Sequence, residues 1–224
     1  MAELEKSILE QIGKNGISIA LLEELEVKTR KLLEKAPTDP IVVGLLFNIA
    51  ARSDPPKLKQ LTNEILAISE LPPPFLEAAN AMIASLERIG KPIEIRFTAI
   101  DGRKVDLSEM KGKVVFIDFW ATWCLPCIAE LPRTKSVYEK YNDRGFEIIG
   151  ISLDKDKDKL VDFIKKETIS WPQYFEGKDQ ENKFYKEFGY AGIPMTWLID
   201  KAGNLRYMNG STDLEHKVLE LLDE

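Results

Sequence analysis

The sequence has little of the residues that most often bind metals or cross-link a fold. Its 224 residues include two cysteines and one histidine, whereas a structural zinc site needs about four such ligands. The cysteines, Cys124 and Cys127, are so close in the chain that a bond between them closes a very small loop and constrains the unfolded chain little. This scarcity argues against a metal centre or a disulfide framework. It favours cysteines that take part in a reaction.

Long apolar runs and clusters of positive charge are also missing. No stretch approaches the roughly 20 apolar residues of a membrane-spanning helix, and Met1–Lys6 lacks the charged and apolar regions of a secretory signal. The net charge is −6 without a basic cluster, which disfavours nucleic acid as a partner. The composition leaves the compartment open, because a cytoplasmic protein and a mature or trimmed form of an exported one both fit.

Residues 1–90 have the periodicity of helices. Apolar residues recur at helical spacing in segments that prolines and glycines separate, namely 4–12, 21–33, 41–52, a segment from Pro55 and one from Pro72 to Gly90. We therefore predict an all-helical N-terminal domain over 1–90. Two interpretations stay open for it: a module for dimerisation or partner docking, and a helical cap packed on the second domain.

Strand patterns alternate with helical ones over residues 91–224. Ile93–Phe97 alternates, Asp101–Gly102 is typical of a hairpin turn, and apolar strands are expected at Val114–Trp120, Phe146–Leu153, Met195–Ile199 and Leu205–Met208. Helices are expected at about 127–145, 155–168, 182–189 and 214–222. This alternation predicts an α/β domain that ends in an antiparallel hairpin. Three acids at the start of the second helix, Asp154, Asp156 and Asp158, predict a solvated helix start.

The two cysteines lie between the strand Val114–Trp120 and the helix that follows it. A helix N-terminus stabilises a thiolate at Cys124, and thiolates are the nucleophiles of disulfide exchange. Cys127 follows three positions later, within reach to close a ring. The arrangement predicts a redox-active dithiol, in which we expect Cys124 to be the more exposed and more acidic thiol.

Two carboxylates accompany this dithiol. Asp118 interrupts an otherwise apolar strand, and a carboxylate there costs several kcal/mol unless it is neutral or paired. Glu130 lies three residues beyond Cys127 on the same helix face. The alternatives are that Asp118 lies on a solvent-facing side of the strand and that Glu130 is an exposed acid favoured by the helix dipole.

Four motifs, in this order, resemble those of the thioredoxin fold and, more narrowly, the TlpA/ResA-like branch of extracytoplasmic thioredoxins: Leu107–Val115, Trp120–Cys127, Glu130–Pro132 and Gly192–Thr196. The resemblance covers about 92–224, and in it the segment 155–178 is similar to an insertion of that branch. It implies a thioredoxin-like fold, a mixed central sheet flanked by helices, which here follows a small all-α domain outside the resemblance.

The resemblance also implies a role for each site residue. Cys124 attacks a target disulfide and Cys127 resolves the mixed disulfide, while Asp118 exchanges protons with the resolving thiol and Glu130 tunes the acidity of the cysteines. Ile193–Pro194 matches the cis-proline turn that faces the dithiol, where backbone groups can pair with an extended substrate. Contact with substrate is expected at Trp123, Leu125, Pro126, Ile193 and Pro194.

These expectations describe a thiol–disulfide oxidoreductase of cell redox homeostasis that reduces protein disulfides without a bound cofactor or metal. Its expected partners are protein dithiols and disulfides, together with a membrane thiol reductant of the CcdA/DsbD type. An extracytoplasmic location, periplasmic or membrane-anchored, is expected from the resemblance, with the cytoplasm as the alternative. Two other functions stay open: a disulfide oxidase or isomerase, and a non-catalytic protein-binding module in which the cysteines are incidental.

Overall fold

The N-terminal part of the chain is helical. The computed structural model describes residues 19–189 and 192–224, so the helix expected over 4–12 lies outside the described residues. Aspartates cap two of the helices: Asp39 accepts a hydrogen bond from the Ile41 amide at 2.8 Å, and Asp54 accepts one from the Lys57 amide at 2.9 Å. Prolines begin three of these helices, which are α1 (Ile19–Leu33), α2 (Pro40–Arg52), α3 (Pro55–Leu66) and α4 (Pro73–Leu86).

A mixed sheet forms the centre of the remainder. Its strand order is β5-β4-β3-β6-β7, with β3 parallel to β4 and antiparallel to β6. β3 is buried along its length except at Asp118, which is half-buried. The strands of this sheet are β3 (Val114–Trp120), β4 (Phe146–Ser152), β5 (Gln173–Phe175), β6 (Met195–Ile199) and β7 (Leu205–Tyr207).

The start of this region differs from the expected strand over 93–97. The strand β1 (Arg96–Thr98) pairs with β2 (Lys104–Asp106) in a separate hairpin, whose turn holds Gly102 at a φ of 90°. Ile93 and Ile95 are buried and alternate with exposed residues as expected. The Ile93 amide donates outside the hairpin, to the Gly203 carbonyl, whereas the Ile95 carbonyl accepts from the Leu107 amide just beyond the end of β2.

Helices flank the sheet. The helix after β3 begins at Leu125 rather than Cys127, because Cys124 occupies the N-cap position. A turn of 3-10 helix over Asn142–Arg144 follows it and ends at Gly145, whose φ of 94° is in the left-handed region. The helices here are α5 (Leu125–Tyr141), α6 (Lys157–Lys166), α7 (Lys183–Phe188) and α8 (Leu214–Asp223).

The helical region and the sheet share one continuous apolar core. Leu22 of α1 also packs against Ala129 of α5. Polar contacts join the end of α2 to the loop after β7, where the Asn209 side-chain amide donates to the carbonyls of Arg52 and Ser53 at 2.6 and 2.5 Å. The expected boundary at 90/91 falls between α4 and β1, and the division into two domains stays a prediction. Within the described ranges, no helix is both long and apolar enough to span a membrane.

Candidate active site

The two cysteines lie at the N-terminus of α5 and form a disulfide bond. The Cα atoms of Cys124 and Cys127 are 5.3 Å apart. Cys124 is the N-cap residue of α5, and its sulfur accepts a hydrogen bond from the Cys127 amide at 3.3 Å. A sulfur at this position receives both an amide donor and the positive end of the helix dipole, which stabilise a thiolate after reduction.

Both cysteines are buried in this disulfide form. Cys124 is 4% exposed and Cys127 is 8% exposed. The sulfur of Cys124 is held by the disulfide bond and by the amide of the first helical turn. The relative exposure and acidity of the two thiols belong to the reduced form and stay predictions.

Asp154 holds the loop before the disulfide. Its carboxylate accepts the Thr122 hydroxyl at 2.6 Å and the Thr122 amide at 3.1 Å, and it also accepts the Ser152 hydroxyl at 2.8 Å. Asp154 is 3% exposed, so the expectation of a solvated acid is wrong at this position, whereas Asp156 is exposed and caps α6. The sequence analysis did not predict that Asp154 holds the loop before the cysteines. Its position just after β4, a strand parallel to β3, is the signal that could have indicated this role.

Asp118 lies near the end of β3, opposite Gly150 of β4 and Thr196 of β6. Only part of its side chain reaches solvent, which argues against a solvent-facing Asp118. Removal of the carboxylate from water raises the pKa of Asp118 to about 8, and the negative charge of Glu130 is the second cause. An acid with such a pKa changes protonation in the range where thiols also titrate.

Glu130 lies on α5 and is 7% exposed, so it is not the exposed acid of the alternative. Its Oε1 atom has no hydrogen-bond partner among the described residues. Burial raises the pKa of Glu130, and three influences oppose this in part: the charge of Arg52, a hydrogen bond from the Ser211 side chain and the charge of Arg133. The result is a second buried acid that binds its proton more tightly than a solvated glutamate.

The proline turn begins β6. The Ile193–Pro194 peptide bond is cis, as predicted. Met195 follows it and pairs with Phe119 of β3, so the turn lies at the same edge of the sheet from which the chain runs to the cysteines. The Gly192 amide donates to the Tyr185 hydroxyl at 3.0 Å, which ties this turn to α7.

Apolar side chains flank the disulfide in the sequence and reach solvent. Trp123 is 56% exposed and Leu125 is 66% exposed, and large apolar groups in such positions are available for contact with another molecule. Pro126, Ile193 and Pro194 are half-buried. Trp120 differs from Trp123, since it is buried and its indole N–H donates to Gln173 at 2.9 Å.

Over residues 19–189 and 192–224, no three His, Cys, Asp or Glu side chains are grouped to hold a metal ion. The expectation that the dithiol works without a cofactor or metal stays a prediction.

The mixed sheet, the cysteine pair that caps α5 and the cis-proline turn together define a thioredoxin-like protein. The sequence profile of the AhpC/TSA family matches residues 89–208, and this chain belongs to that family.

Curated relatives agree with the resemblance found in the motifs. The chain is 35% identical over 108 residues to the thiol-disulfide oxidoreductase ResA of Bacillus thuringiensis subsp. konkukian (strain 97-27), which is 48% of this chain and 61% of that relative. It is 30% identical over 129 residues to ResA of Bacillus subtilis (strain 168), which is 56% of this chain and 70% of the relative. The chain thus spans less than two thirds of the length of the first relative.

Solved structures give the same result. The thioredoxin domain of a thiol-disulfide oxidoreductase from Bacteroides vulgatus matches with a TM-score of 0.52 and 27% identity, over 59% of this chain and 95% of that one. A thiol:disulfide interchange protein from Bacteroides sp. matches with a TM-score of 0.52 and 27% identity, over 59% and 88%. The predicted thioredoxin-like fold and the ResA-like resemblance are confirmed, with the helical region preceding the matched part.

Proposed function

We propose that this chain is a thiol–disulfide oxidoreductase that reduces disulfides of protein substrates. The observation that carries the proposal is the Cys124–Cys127 disulfide at the N-terminus of α5, on the same sheet edge as the cis Pro194. The family profile covers residues 89–208, which include this site, and relatives named thiol-disulfide oxidoreductase support the class of reaction.

The reaction begins with the reduced dithiol. The Cys124 thiolate, stabilised by the α5 N-terminus, attacks one sulfur of the target disulfide and forms a mixed disulfide, while the other target sulfur leaves as a thiolate. Cys127 then gives up its proton and attacks the sulfur of Cys124, which releases the second target thiol and forms the Cys124–Cys127 bond. The target gains two electrons and two protons, and the protein loses them.

The buried acids act in the second step, in which Cys127 attacks the mixed disulfide. Asp118, with its pKa raised to about 8, is matched to accept the Cys127 proton near neutral pH. Glu130 raises the pKa of Asp118 through its charge and opposes negative charge at the thiols. Trp123 and Leu125, both exposed, provide apolar contact for the target, and the backbone before Pro194 is placed to pair with an extended segment.

The direction of exchange follows from the charges near the thiols. Leu125 and Pro126 place no histidine between the cysteines, and Asp118 and Glu130 oppose a thiolate, so the reduced form is weakly stabilised. We therefore expect a potential of about −270 to −220 mV, the range of reductants, rather than the −120 mV or so of a strong oxidant. Equilibration with thiol–disulfide buffers measures it, and a value above about −180 mV would instead favour an oxidase or isomerase.

We also propose where the protein works and what reduces it again after each turnover. The ResA-like resemblance supports an extracytoplasmic location and recharging by a membrane thiol reductant of the CcdA/DsbD type. After each turnover the protein is left as the disulfide, so a donor of two electrons must restore the dithiol.

Insulin reduction tests the proposed activity. The wild type should reduce insulin, Cys124→Ser should be inactive because the attacking thiolate is missing, and Cys127→Ser should accumulate a mixed disulfide through Cys124. A wild type without activity would favour the non-catalytic binding module. Retained activity in Cys124→Ser would contradict the assignment of the nucleophile.

A further inference from the structure

We propose that Asp154, in the loop after β4, is a positioning residue that keeps the Cys124 thiol at the N-terminus of α5 when the disulfide is reduced. The inference rests on the proposed function and deepens it, because it assigns a residue outside the dithiol to the attacking form of the protein. Asp154 acts through Thr122, which lies two residues before Cys124. The hydrogen bonds between these two residues are called the Thr122–Asp154 clamp below.

A tight turn carries the chain from β3 to α5. The Cys124 amide donates to the Ala121 carbonyl at 3.1 Å. Thr122 and Trp123 are therefore the two central residues of the turn. The Thr122 amide is part-buried and lies outside the hydrogen bond that closes the turn, so it needs another acceptor, and Asp154 provides one. The clamp thus fixes the turn whose last residue is Cys124.

Asp154 accepts both hydrogen-bond donors of Thr122. The Thr122 hydroxyl donates to Oδ1 at 2.6 Å, and the Thr122 amide lies 3.2 Å from Oδ1 and 3.1 Å from Oδ2. Hydrogen bonds to an ionised carboxylate are stronger than those between neutral groups. Because one carboxylate binds the backbone and the side chain of Thr122 together, it fixes the position of the residue and not only the rotamer of its side chain.

Asp154 is itself fixed by packed structure. It is 3% exposed, its Oδ2 accepts the Ser152 hydroxyl at 2.8 Å, and its amide donates to the same hydroxyl oxygen at 3.0 Å. The Ser152 carbonyl accepts the side-chain amide of Asn182 at 3.4 Å, and Asn182 is buried and caps α7. The Leu153 amide donates to the Trp120 carbonyl at 2.8 Å, which joins the ends of β4 and β3. A group held in this way can position another residue.

Reduction changes which bonds hold Cys124. In the oxidised protein the bond to Cys127 ties Cys124 to α5, whereas the reduced protein has only the turn and the clamp in its place. The Cys124 sulfur accepts the Cys127 amide at 3.3 Å while Cys124 has the N-cap conformation, with φ −84° and ψ 94°. This amide and the helix dipole stabilise the thiolate. The clamp should therefore stabilise the reduced form more than the oxidised form.

The negative charge of Asp154 would act in the opposite direction. A nearby negative charge opposes ionisation of a thiol, so removal of the charge alone would let Cys124 ionise at a lower pH. A positioning role predicts that loss of the clamp makes Cys124 ionise at a higher pH, because its sulfur leaves the amide and the helix terminus. The direction of the shift separates the two roles.

Alkylation of the reduced protein over a series of pH values, followed for each cysteine by peptide mapping, tests the inference. Thr122→Val removes the hydroxyl and keeps the charge of Asp154. It should raise the pH midpoint of Cys124 alkylation by about half a unit, which is about a threefold change in the ionisation constant. Thr122→Ser keeps the hydroxyl and should react like the wild type. Asp154→Asn should also raise the midpoint, since it offers Thr122 one acceptor oxygen instead of two.

Thr62→Val is the matched control. Thr62 is buried in α3, and its hydroxyl donates to the Leu58 carbonyl at 2.7 Å, so the substitution removes a bonded hydroxyl in another region of the fold. The midpoint of Cys124 should not move. An unchanged midpoint in Thr122→Val, or an equal shift in Thr62→Val, would overturn the inference. A lower midpoint in Asp154→Asn would show that Asp154 acts through its charge, and the positioning role would be wrong.

A second readout compares the two redox forms. At equilibrium with a glutathione buffer, Thr122→Val should have a dithiol-to-disulfide ratio up to about threefold below that of the wild type, and Thr122→Ser should match the wild type. Equal ratios in all three proteins would mean that the clamp supports both forms alike, which is a purely structural role and contradicts the inference. Neither measurement uses a target protein, so a wild type that fails to reduce insulin would count against the proposed function and not against these results.

Discussion

Two buried glutamates, one in each region of the molecule, have pKa shifts of opposite direction. Glu26 of the helical region is 9% exposed and Glu130 of the sheet region is 7% exposed. Glu26 forms ion pairs with Arg30 at 2.8 Å and Lys57 at 2.9 Å. Burial raises the pKa of Glu26, but the hydrogen bonds and charges of the two cations outweigh this effect and lower it overall.

Glu130 has the same burial without such pairing. One of its oxygens has no hydrogen-bond partner in the described part of the chain, and burial raises its pKa in spite of Arg52 and Arg133. A paired acid such as Glu26 stabilises the fold. An acid whose burial is not fully offset by cations or hydrogen bonds destabilises the fold and binds its proton more tightly. Such acids are typical of functional sites, and here Glu130 and Asp118 lie together beside the disulfide region.

Loss of Asp118 should have the largest effect. Asp118→Asn should slow resolution of the mixed disulfide about 10-fold or more at pH 7, because Cys127 loses its proton acceptor. Single-turnover trapping of the mixed disulfide measures this rate. Asp162→Asn, which changes an exposed acid on α6, is the control, and a rate for Asp118→Asn equal to the wild type from about pH 5 to 9 would remove Asp118 from the site.

The same substitution should change how stability depends on pH. The folded-state pKa of Asp118 is raised to about 8 from about 3.9 in an unfolded chain, so the folded protein retains a proton that the unfolded chain loses. Stability therefore falls as pH rises between these values. Asp118→Asn removes this effect and should gain up to about 5 kcal/mol over the wild type at pH 8 relative to pH 4.

Urea unfolding of both proteins at several pH values measures that difference. A constant difference between the wild type and Asp118→Asn across the range would mean that Asp118 titrates as an ordinary solvated acid, and the contrast with Glu26 would then rest on Glu130 alone.

Replacing each glutamate with the neutral glutamine should change the stability of the protein differently. Glu26→Gln should cost about 1 kcal/mol at pH 7, because Arg30 and Lys57 lose a shared partner. The pKa of Glu26 is lowered in the folded state, so this stability is present above the unfolded-state pKa and is lost as pH falls through the folded-state value. Glu130→Gln should be neutral or stabilising at pH 7.

Denaturant unfolding at pH 7 and at about pH 3 checks both substitutions. The cost of Glu26→Gln should fall at the lower pH, where the wild-type carboxyl also begins to take up its proton. A greater loss of stability for Glu130→Gln than for Glu26→Gln at pH 7 would reverse the contrast between the two regions.

The sequence predicts the sheet region better than the helical one, for physical reasons. β3, the dithiol at the start of α5 and the cis Ile193–Pro194 bond follow from an apolar run, a strand-to-helix turn and a recognisable motif. The helices α2 and α3 follow from capping residues and prolines, such as Asp39 and Pro40. These are local signals, and each one is complete within a few residues.

The features that the sequence did not predict depend on distant contacts. Arg52 ends a helix like many surface arginines, and only packing of α2 on the loop around Asn209 brings it near Ser211. In the sequence, Asp154 is one of several acids at the start of a helix. Its partner Thr122 lies in the loop after β3, which the sequence does not place next to it. The burial of Cys124 depends on the disulfide and the first helical turn, which spacing alone does not describe.

Carboxyl titration of the wild type in both redox states tests most directly whether the buried acids serve the dithiol. In the oxidised protein we expect a pKa of about 8 for Asp118, a raised value for Glu130 and a lowered one for Glu26. Reduction should shift Asp118 and Glu130 further upward, because nearby thiolates oppose a second negative charge, and should leave Glu26 unchanged. Ordinary values for Asp118 and Glu130, or values that do not change on reduction, would contradict the account.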